Sequence, residues 1–258
     1  MRKIHITTQG EGPPLVLLHG WGMNSSIWQC VCCKLARHFH LHLVDLPGHG
    51  FSSTSWIQGP DYLGNMTKMI GDNLPEHSII CGWSLGGQIA IRLSLDFPDK
   101  IDKLILVSTT PSFIQHRDWV WAMERNILEL FKKNFDTDHI TTLNRFLTLQ
   151  VQGDINKIFL LRKLRRFISN ENNFDQHGLK LGLKIIFTTD VRDSIKNINH
   201  PVILFHGKND NIVPLEAARW LHENLIDSKL IVLPNCGHIP FLSYTDQFLN
   251  GIFEAVRE

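Results

Sequence analysis

Residues 78–87 constrain this chain more than any other stretch. They read Ser-Ile-Ile-Cys-Gly-Trp-Ser-Leu-Gly-Gly, a short apolar run that leads into Gly82, Ser84 and Gly86 with G-x-S-x-G spacing. Apolar residues with helical spacing follow, so the sequence predicts a strand, a tight turn and a helix, with Ser84 at the turn. This is the pattern of a nucleophile elbow, whose strained turn exposes a serine hydroxyl beside a helix N-terminus. Gly82 and Gly86 fit because a Cβ at either position would crowd the turn.

Composition and cysteine usage exclude several classes of protein. At 258 residues the chain suits one α/β domain with an insertion, and its net charge of +1 gives no bulk attraction to nucleic acid or to a membrane. Residues 1–14 lack a signal-peptide pattern and no apolar stretch reaches about 20 residues, so we expect a cytoplasmic protein. The cysteine count is odd, no C-x-x-C pair occurs, and the histidines lack metal-binding spacing. We therefore expect neither a disulfide framework nor a bound metal.

Apolar runs alternate with helical patterns along most of the chain, and the helical patterns include residues 26–39 and 245–256. Short runs that are apolar throughout are typical of strands buried on both faces of a parallel sheet. The sequence therefore predicts an α/β protein with a mostly parallel, doubly wound sheet. The predicted strands are residues 14–18, 41–44, 78–81, 104–107, 202–205 and 230–233.

The pattern changes between residues 112 and 189, where no strand signal occurs. Four helical segments fit this region, at residues 116–133, 138–150, 155–168 and 175–187. We therefore predict an α/β core of residues 1–111 and 190–258, interrupted by an all-helical lid of residues 112–189. The lid contains twelve Lys and Arg residues and eight Asp and Glu residues, so a basic lid would cover a slightly acidic core.

Polar residues at two further strand ends complete a catalytic set with Ser84. Asp210 follows the predicted strand at 202–205, and His238 follows the one at 230–233. Open α/β sheets bind ligands at the carboxyl ends of their strands. A serine nucleophile needs a base such as imidazole, and the imidazole needs a carboxylate to fix its tautomer. Taken singly, Asp210 fits a turn and His238 fits a helix start, but the chain order Ser84, Asp210, His238 predicts a catalytic triad.

A second glycine-rich turn, His19-Gly20-Trp21-Gly22, follows the first strong strand. An ordinary turn would explain the glycines alone, but the position at a strand end favours a functional one. We predict that the backbone N–H groups of Trp21 and Leu85 point at the same oxygen and form an oxyanion hole. Each such donor stabilises the transition state by about 3 kcal/mol.

Four motifs, spread over nearly the whole chain, together resemble the α/β-hydrolase superfamily. They are His-Gly-Trp-Gly at 19–22, Val-Asp-Leu-Pro-Gly-His-Gly at 44–50, Gly-Trp-Ser-Leu-Gly-Gly at 82–87 and Gly-His-Ile-Pro-Phe at 237–241. A narrower resemblance is to the pimeloyl-[acyl-carrier protein] methyl ester esterases, the carboxylesterases of biotin synthesis. It rests on the first three motifs with their neighbouring residues and on Arg-Phe-Leu-Thr-Leu-Gln at 145–150. The specific parts of this resemblance are Trp21 after Gly20, Trp83 after Gly82, and the R-F-L-x-L-Q motif.

The resemblance implies an activity, a substrate site and a partner. The activity is hydrolysis of the methyl ester of pimeloyl-[acyl-carrier protein] by a serine carboxylesterase that needs no cofactor and no metal, and small esters are expected to serve as surrogate substrates. The partner is the acyl-carrier protein that carries the pimeloyl methyl ester. The implied substrate-binding residues are Trp21, Ser84, Leu85, Phe146, Leu147, Thr148, Leu149, Gln150 and His238.

The carrier protein is expected to contact basic residues of the lid. Residues 157–166 contain five basic residues and no acidic one. Acyl-carrier proteins are strongly acidic, so we expect Arg145 and Arg162 to contact the partner, although a solvated basic face would give the same pattern. The chain departs from the resembled family at Ile158, where the family can have an arginine. The helical period predicts that four apolar residues of this stretch face inward, namely Phe159, Leu160, Leu164 and Phe167.

Two alternative functions use the same motifs. One is another enzyme on this fold, a generalist short-chain carboxylesterase, a thioesterase or a C–C bond hydrolase, because these share the triad. The other is a non-catalytic ligand-binding protein, against which the complete triad and both oxyanion elements argue. We expect a monomer, and no interaction with nucleic acid or a membrane.

Overall fold

The computed structural model describes residues 4–53, 60–169 and 175–257. Its strands are β1 (Ile6–Gln9), β2 (Pro14–Leu18), β3 (His40–Val44), β4 (Ser78–Trp83), β5 (Ile101–Val107), β6 (Val202–Gly207) and β7 (Ser228–Leu233). These described strands form one seven-stranded sheet in the order β1-β3-β2-β4-β5-β6-β7. Within it β1 runs antiparallel to β3 and the other pairs are parallel. The predicted mostly parallel sheet is confirmed.

Helices cover both faces of this sheet. In the described ranges they are α1 (Gln29–Leu35), α2 (Tyr62–Gly71), α3 (Leu85–Asp96), α4 (Arg125–Thr137), α5 (His139–Val151), α6 (Lys157–Ser169), α7 (Gln176–Thr188), α8 (Leu215–Asn224), α9 (Pro240–Ser243) and α10 (Thr245–Arg257). Short 3-10 helices occupy Ser25–Trp28, Pro98–Lys100 and Arg192–Asn197.

Strand β2, in the interior of the sheet, shows why helices must cover both faces of the sheet. Leu15 and Leu17 pack into one core with α1, α9 and α10, whereas Val16 and Leu18 pack into a second core with α2, α3 and α8. All four side chains are fully buried. Successive side chains of a strand point to opposite faces, so a strand without polar residues must be covered on both.

Two elements near the N-terminus differ from the sequence-based expectation. The edge strand β1 was not predicted, because Ile-Thr-Thr-Gln has a single apolar residue and gives no hydrophobic signal. The predicted helix over residues 26–39 is too long, since a 3-10 turn occupies its start and α1 ends at Leu35. There the Phe39 N–H donates to the Leu35 carbonyl at 3.0 Å and turns the chain into β3.

The connection from β5 to β6 contains α4, α5, α6 and α7, so a helical insertion separates these neighbouring strands. Its two ends lie side by side, because Ser112 and Asp190 form an antiparallel bridge. The predicted helices at 138–150, 155–168 and 175–187 are confirmed as α5, α6 and α7 to within two residues. Asp138 and Asp175 cap α5 and α7, and their side chains accept hydrogen bonds from the N–H groups of Thr141 and His177.

The first half of the predicted helix at 116–133 is wrong, because α4 begins only at Arg125. Residues 112–124 instead form irregular backbone with isolated bridges. Trp119 explains the difference. Its buried indole donates to the Ser112 carbonyl at 3.0 Å, and its ring contacts Trp121 and Trp220 edge-on at 5.4 and 5.2 Å. Residues two apart do not face each other on a helix, so the contact between Trp119 and Trp121 needs non-helical backbone.

Candidate active site

Ser84 lies on a strained turn between β4 and α3. Its φ of 56° and ψ of −117° are unusual for a residue with a Cβ. Four hydrogen bonds hold this backbone in place, the longest of them from the Gln88 N–H to the Ser84 carbonyl at 3.3 Å. The Ser84 N–H donates to the Val107 carbonyl at 2.9 Å, and the Ser84 carbonyl accepts from Gly87 N–H at 2.9 Å and from the Thr109 hydroxyl at 2.7 Å. The surrounding structure therefore fixes a serine conformation that would otherwise be costly.

The glycines of the elbow are needed because backbone surrounds them. A Cβ on Gly86 would lie 2.5 Å from the Leu18 carbonyl oxygen and 2.6 Å from that of His19. A Cβ on Gly82 would lie 2.6 Å from the Gly86 carbonyl carbon. The sequence pattern predicted crowding within the turn, and the structure adds that Gly86 also packs against the end of β2.

Asp210 and His238 come together beyond the ends of β6 and β7. His238 Nδ1 donates to Asp210 Oδ2 at 2.7 Å, and both side chains are fully buried. Asp210 Oδ1 accepts from the N–H groups of Ile212 and Val213 at 2.8 and 3.0 Å. The contact between His238 Nδ1 and Asp210 Oδ2 fixes the imidazole tautomer with the proton on Nδ1, so the lone pair is on Nε2.

His238 Nε2 is buried and has no hydrogen-bond partner among the described residues. The structure therefore joins Asp210, the predicted orienting carboxylate, to His238, the predicted base. In the described part of the chain, no hydrogen bond joins Ser84 Oγ to His238. The backbone of His238 is nevertheless tied to the elbow, since the Trp83 indole donates to the His238 carbonyl at 2.8 Å. In enzymes without bound substrate, the nucleophile–base contact is often long and tightens on binding.

The charge state of Asp210 follows from its neighbours. Burial by itself would raise the pKa of this carboxyl, but the charge and hydrogen bond of His238 lower it, and His206 and the Val213 N–H act in the same direction. The net effect holds the Asp210 pKa below its ordinary value. Burial lowers the pKa of His206 itself, although the charge of Asp210 and the hydrogen bond from His206 Nε2 to the Val213 carbonyl at 2.8 Å act in the opposite direction. Asp210 is therefore a carboxylate that faces His238 at neutral pH.

The turn that holds Trp21 packs against Ser84. A Cβ on Gly20 would lie 3.3 Å from Ser84 Cβ. Buried His19 fixes this turn, since its Nδ1 donates to the Gly20 carbonyl at 2.8 Å and its Nε2 accepts from the Leu46 N–H at 2.9 Å. Burial lowers the His19 pKa to about 4, although Asp45 acts in the opposite direction. A neutral imidazole thus bridges two loops at the sheet edge.

Leu85 is the first residue of α3, so its N–H has no acceptor within the helix. The Trp21 N–H is likewise absent from the backbone hydrogen bonds of its turn, where Met23 N–H donates to the Gly20 carbonyl at 3.3 Å. Since β2 and β4 are neighbours in the sheet, both N–H groups follow adjacent strand ends. Their arrangement is consistent with the predicted oxyanion hole.

An apolar cavity of about 610 Å³, counted with its open mouth, has Ser84 in its lining. Among its described lining residues, Ser84 contributes the one hydroxyl and the other side chains are hydrophobic or aromatic. Trp21 forms part of the wall and is fixed by its indole, which donates to the Leu179 carbonyl at 2.8 Å, and by edge-on contact with Phe146 at 5.2 Å. The cavity therefore suits an uncharged, largely aliphatic group that presents its polar end to Ser84.

The predicted substrate-binding residues take different positions around this cavity. Phe146 and Leu149 line it together with Trp21 and Ser84. Leu147 does not, because it is buried in the core that also contains residues of α6 and α10, and Thr148 is exposed. The other predicted residues, Leu85, Gln150 and His238, are buried and do not line the cavity.

Several lining residues were not predicted from the sequence. They come from α4, α7 and the loops after β5 and β6, and they are Phe113, Met123, Ile127, Leu128, Phe131, Leu183, Ile186 and Ile212. The helical period identifies the apolar faces of α4 and α7, but it does not say which part of each face meets a cavity and which part meets the core.

The basic residues of the insertion lie on its outer surface. Arg145 on α5 and Arg162 on α6 are both exposed, and the two helices pack against each other. The predicted inward face of α6 is right for Leu160 and Leu164 but wrong for Phe159, which is 60% exposed. Lys163 explains this position, because its ammonium lies 5.2 Å from the centre of the Phe159 ring and shares its face of the helix.

In the part of the chain that the structure describes, no group of three or more His, Cys, Asp or Glu side chains is placed to hold a metal ion. The five cysteines are free thiols, and burial raises the pKa of Cys30 to about 11 and that of Cys32 to about 12. No helix of the described residues has the length and apolar character that crossing a membrane requires.

A family model described as alpha/beta hydrolase fold matches residues 13–243. The chain belongs to the α/β-hydrolase fold family. Its resemblance to other α/β hydrolases extends over the whole chain. It is 46% identical to a pimeloyl-[acyl-carrier protein] methyl ester esterase of Nitrosomonas europaea, over 99% of this chain and 100% of that protein.

A protein of the same name from Nitrosospira multiformis is 44% identical, over 99% of this chain and 98% of the relative. Among solved α/β hydrolases, an esterase from Exiguobacterium antarcticum superposes with a TM-score of 0.90 at 24% identity, covering 99% of this chain and 96% of that one. At that identity the superposition shows the fold, while the similarity to the two full-length relatives is more specific.

Proposed function

We propose that this chain is a serine carboxylesterase that hydrolyses the methyl ester of pimeloyl-[acyl-carrier protein]. The observation that carries the proposal is the apolar cavity with Ser84 in its lining, together with the buried Asp210–His238 pair. The names of the two full-length relatives supply the substrate. The product would be a free carboxylate at the far end of the acyl chain, which by resemblance then enters biotin synthesis.

The reaction would proceed in two halves. Ser84 Oγ attacks the ester carbonyl carbon while its proton passes to His238 Nε2, and Asp210 stabilises the resulting imidazolium. The N–H groups of Trp21 and Leu85 bind the oxyanion. The intermediate collapses, and His238 returns its proton to the departing methanol, which leaves an acyl-enzyme. Water then attacks the acyl-enzyme, giving its proton to His238, and the carboxylic acid and the Ser84 hydroxyl are released.

The cavity accounts for the binding of the acyl chain. A pimeloyl chain has about five methylene groups between its two carbonyls, and burying each contributes about 0.8 kcal/mol, or about 4 kcal/mol in all. The walls formed by Phe131, Phe146 and Leu183 offer no charge that would attract a free carboxylate. A methyl ester is neutral and enters such a site more easily than the ionised acid, so the product would leave it.

The partner would bind to the insertion, residues 112–189, which we propose is a lid. Exposed Arg145 and Arg162 lie on adjacent helices, and an acidic carrier protein would be steered toward them. The exposed ring of Phe159 and the exposed side chain of Ile158, at 66%, extend this surface with apolar area. We further propose a monomer that acts in the cytoplasm.

Mass spectrometry of a methyl pimeloyl-carrier protein tests the proposal. Incubation with the enzyme should remove the mass of one CH2 from the carrier, as the ester becomes the acid, and the Ser84→Ala variant should leave the carrier unchanged. Release of the whole acyl chain would identify a thioesterase instead. Hydrolysis of p-nitrophenyl butyrate with an untouched carrier ester would identify a generalist short-chain esterase, and turnover of neither would favour a binding protein.

A further inference from the structure

The segment that joins α5 to α6 lies against the loop that carries Asp210. Two side-chain amides of this loop donate to carbonyls of the segment. Asn209 Nδ2 donates to the Gly153 carbonyl at 3.1 Å, and Asn211 Nδ2 donates to the Gln152 carbonyl at 3.1 Å. The residues on both sides of Asp210 are therefore fixed to the insertion rather than to the sheet alone.

The end of α5 and the same segment are bound to the loop that carries His238. The His238 N–H donates to the Gln150 carbonyl at 3.0 Å, and the Ile155 N–H donates to the Asn235 carbonyl at 3.1 Å. A Cβ on Gly237 would lie 2.9 Å from the Gln152 carbonyl oxygen. Residues 150–155 therefore contact both catalytic loops with little free space between them.

Asp154 is the buried carboxylate of this segment, and it is only 5% exposed. Its Oδ1 accepts from the Asn156 N–H at 2.9 Å, just before α6. Its Oδ2 accepts from the Ser243 hydroxyl at the end of α9 and lies 3.4 Å from the Gly237 N–H. Burying a carboxylate is costly unless donors surround it. Of these three donors, Gly237 directly precedes His238, and Ser243 ends the helix that follows it.

We infer that Asp154 is a positioning residue for His238, acting through Gly237, which directly precedes His238, and through Ser243 at the end of α9. The side chain spans the gap between the insertion and the base loop, so its removal leaves the Gly237 N–H without its acceptor and frees Ser243. The loop can then shift relative to Ser84. The inference rests on the proposed esterase function, because it assigns the imidazole two proton transfers.

Those two transfers make different demands on the position of His238. Taking the Ser84 proton is needed with every ester. Returning a proton to the leaving group is essential for methoxide, a poor leaving group, but p-nitrophenolate departs without it. A displaced imidazole should therefore slow a methyl ester more than a p-nitrophenyl ester, whereas a general loss of folded enzyme slows both equally.

The test compares kcat and KM of wild type, Asp154→Asn and Ser243→Ala on methyl butyrate and p-nitrophenyl butyrate. Because misplacing a catalytic group by about 1 Å can cost about 10²-fold, we expect Asp154→Asn to lower kcat on the methyl ester about 10- to 100-fold. The loss on the p-nitrophenyl ester should be at least about threefold smaller, and both KM values should stay within about twofold. Ser243→Ala should act in the same direction, and the double variant should lose less than the product of the two single losses.

Asp138→Asn is the matched control. Asp138 is also an aspartate of the insertion whose Oδ1 accepts a backbone N–H, that of Thr141 at 3.0 Å, but none of its hydrogen bonds reaches a catalytic loop. It should keep wild-type kinetics on both esters. Equal losses on both esters for Asp154→Asn, or wild-type kcat in a folded variant, would overturn the inference. The wild-type rate on the methyl ester reports separately on the proposed function, so the two can fail independently.

Discussion

Replacing Gly86 by alanine should disable the oxyanion hole while the chain still folds. The new Cβ would lie 2.5 Å from the Leu18 carbonyl oxygen and 2.6 Å from the His19 carbonyl oxygen. Both obstacles are backbone atoms at the end of β2, so no side-chain rotation relieves the contact. The start of α3, which holds the Leu85 N–H, and the turn that holds the Trp21 N–H must move apart.

The magnitude follows from these distances. Ordinary contacts between heavy atoms lie near 3.5 Å, so the two backbones must separate by roughly 1 Å. Overpacking of this kind costs about 1–3 kcal/mol of folding free energy. Loss of one oxyanion donor costs about 3 kcal/mol in the transition state, so kcat should fall at least about 100-fold with KM little changed.

The assay is steady-state hydrolysis of p-nitrophenyl butyrate, with thermal unfolding measured in parallel. Gly64→Ala serves as the control, because its new Cβ would meet the exposed side chain of Asp61, which can rotate away at the cost of its cap on α2 and without moving the elbow. It should keep full activity. A folded Gly86→Ala enzyme with kcat within threefold of wild type would refute the strained-elbow account, and a Val at Gly86 or Gly82 should abolish activity outright.

Three further outcomes test the site. Ser84→Ala should lower kcat on p-nitrophenyl esters by about 10⁴-fold or more, and Asp210→Asn should lose much of that activity by favouring the wrong His238 tautomer. The kcat/KM of the wild type should fall on the acid side, because an imidazole base must be neutral to accept the Ser84 proton. A rate that stays flat in acid would exclude His238 as the base. Arg145→Glu with Arg162→Glu should lower kcat/KM for a carrier-protein ester at least about tenfold and leave p-nitrophenyl butyrate within about twofold, and added salt should slow the wild type on the carrier substrate only.

The fold was predictable where apolar runs fill both faces of the sheet. The buried strands β2 and β4 have no polar residue at their centres, and the elbow glycines have a steric reason that can be stated from the sequence. The edge strand β1 and the segment around Trp119 were not predictable in this way. The first is paired mainly through its backbone, and the second is held by a ring contact with Trp220, which lies far along the chain.

The candidate site also has residues that could be predicted from the sequence and residues that could not. The order of Ser84, Asp210 and His238 indicated the chemistry, because each follows a strand that points to the same sheet edge. Asp154 gave no signal, since an aspartate after a glycine looks like any loop residue. Its burial depends on the packing of α9 against the insertion, a tertiary contact for which a single sequence contains no periodic pattern.

The neighbouring ends of the helical insertion bear on how such an enzyme acquires new substrates. Because Ser112 and Asp190 are bridged, a recombinant chain that exchanges everything between them for the helices of another hydrolase closes without stretching the sheet. The exchange would also delete residues 150–155, and with them the hydrogen bonds to Asn209, Asn211 and His238. Exchanging the whole insertion would therefore bring in a new substrate cavity but remove the hydrogen bonds that support Asp210 and His238. Stepwise substitution along α4 and α7 reshapes the cavity and leaves that support intact.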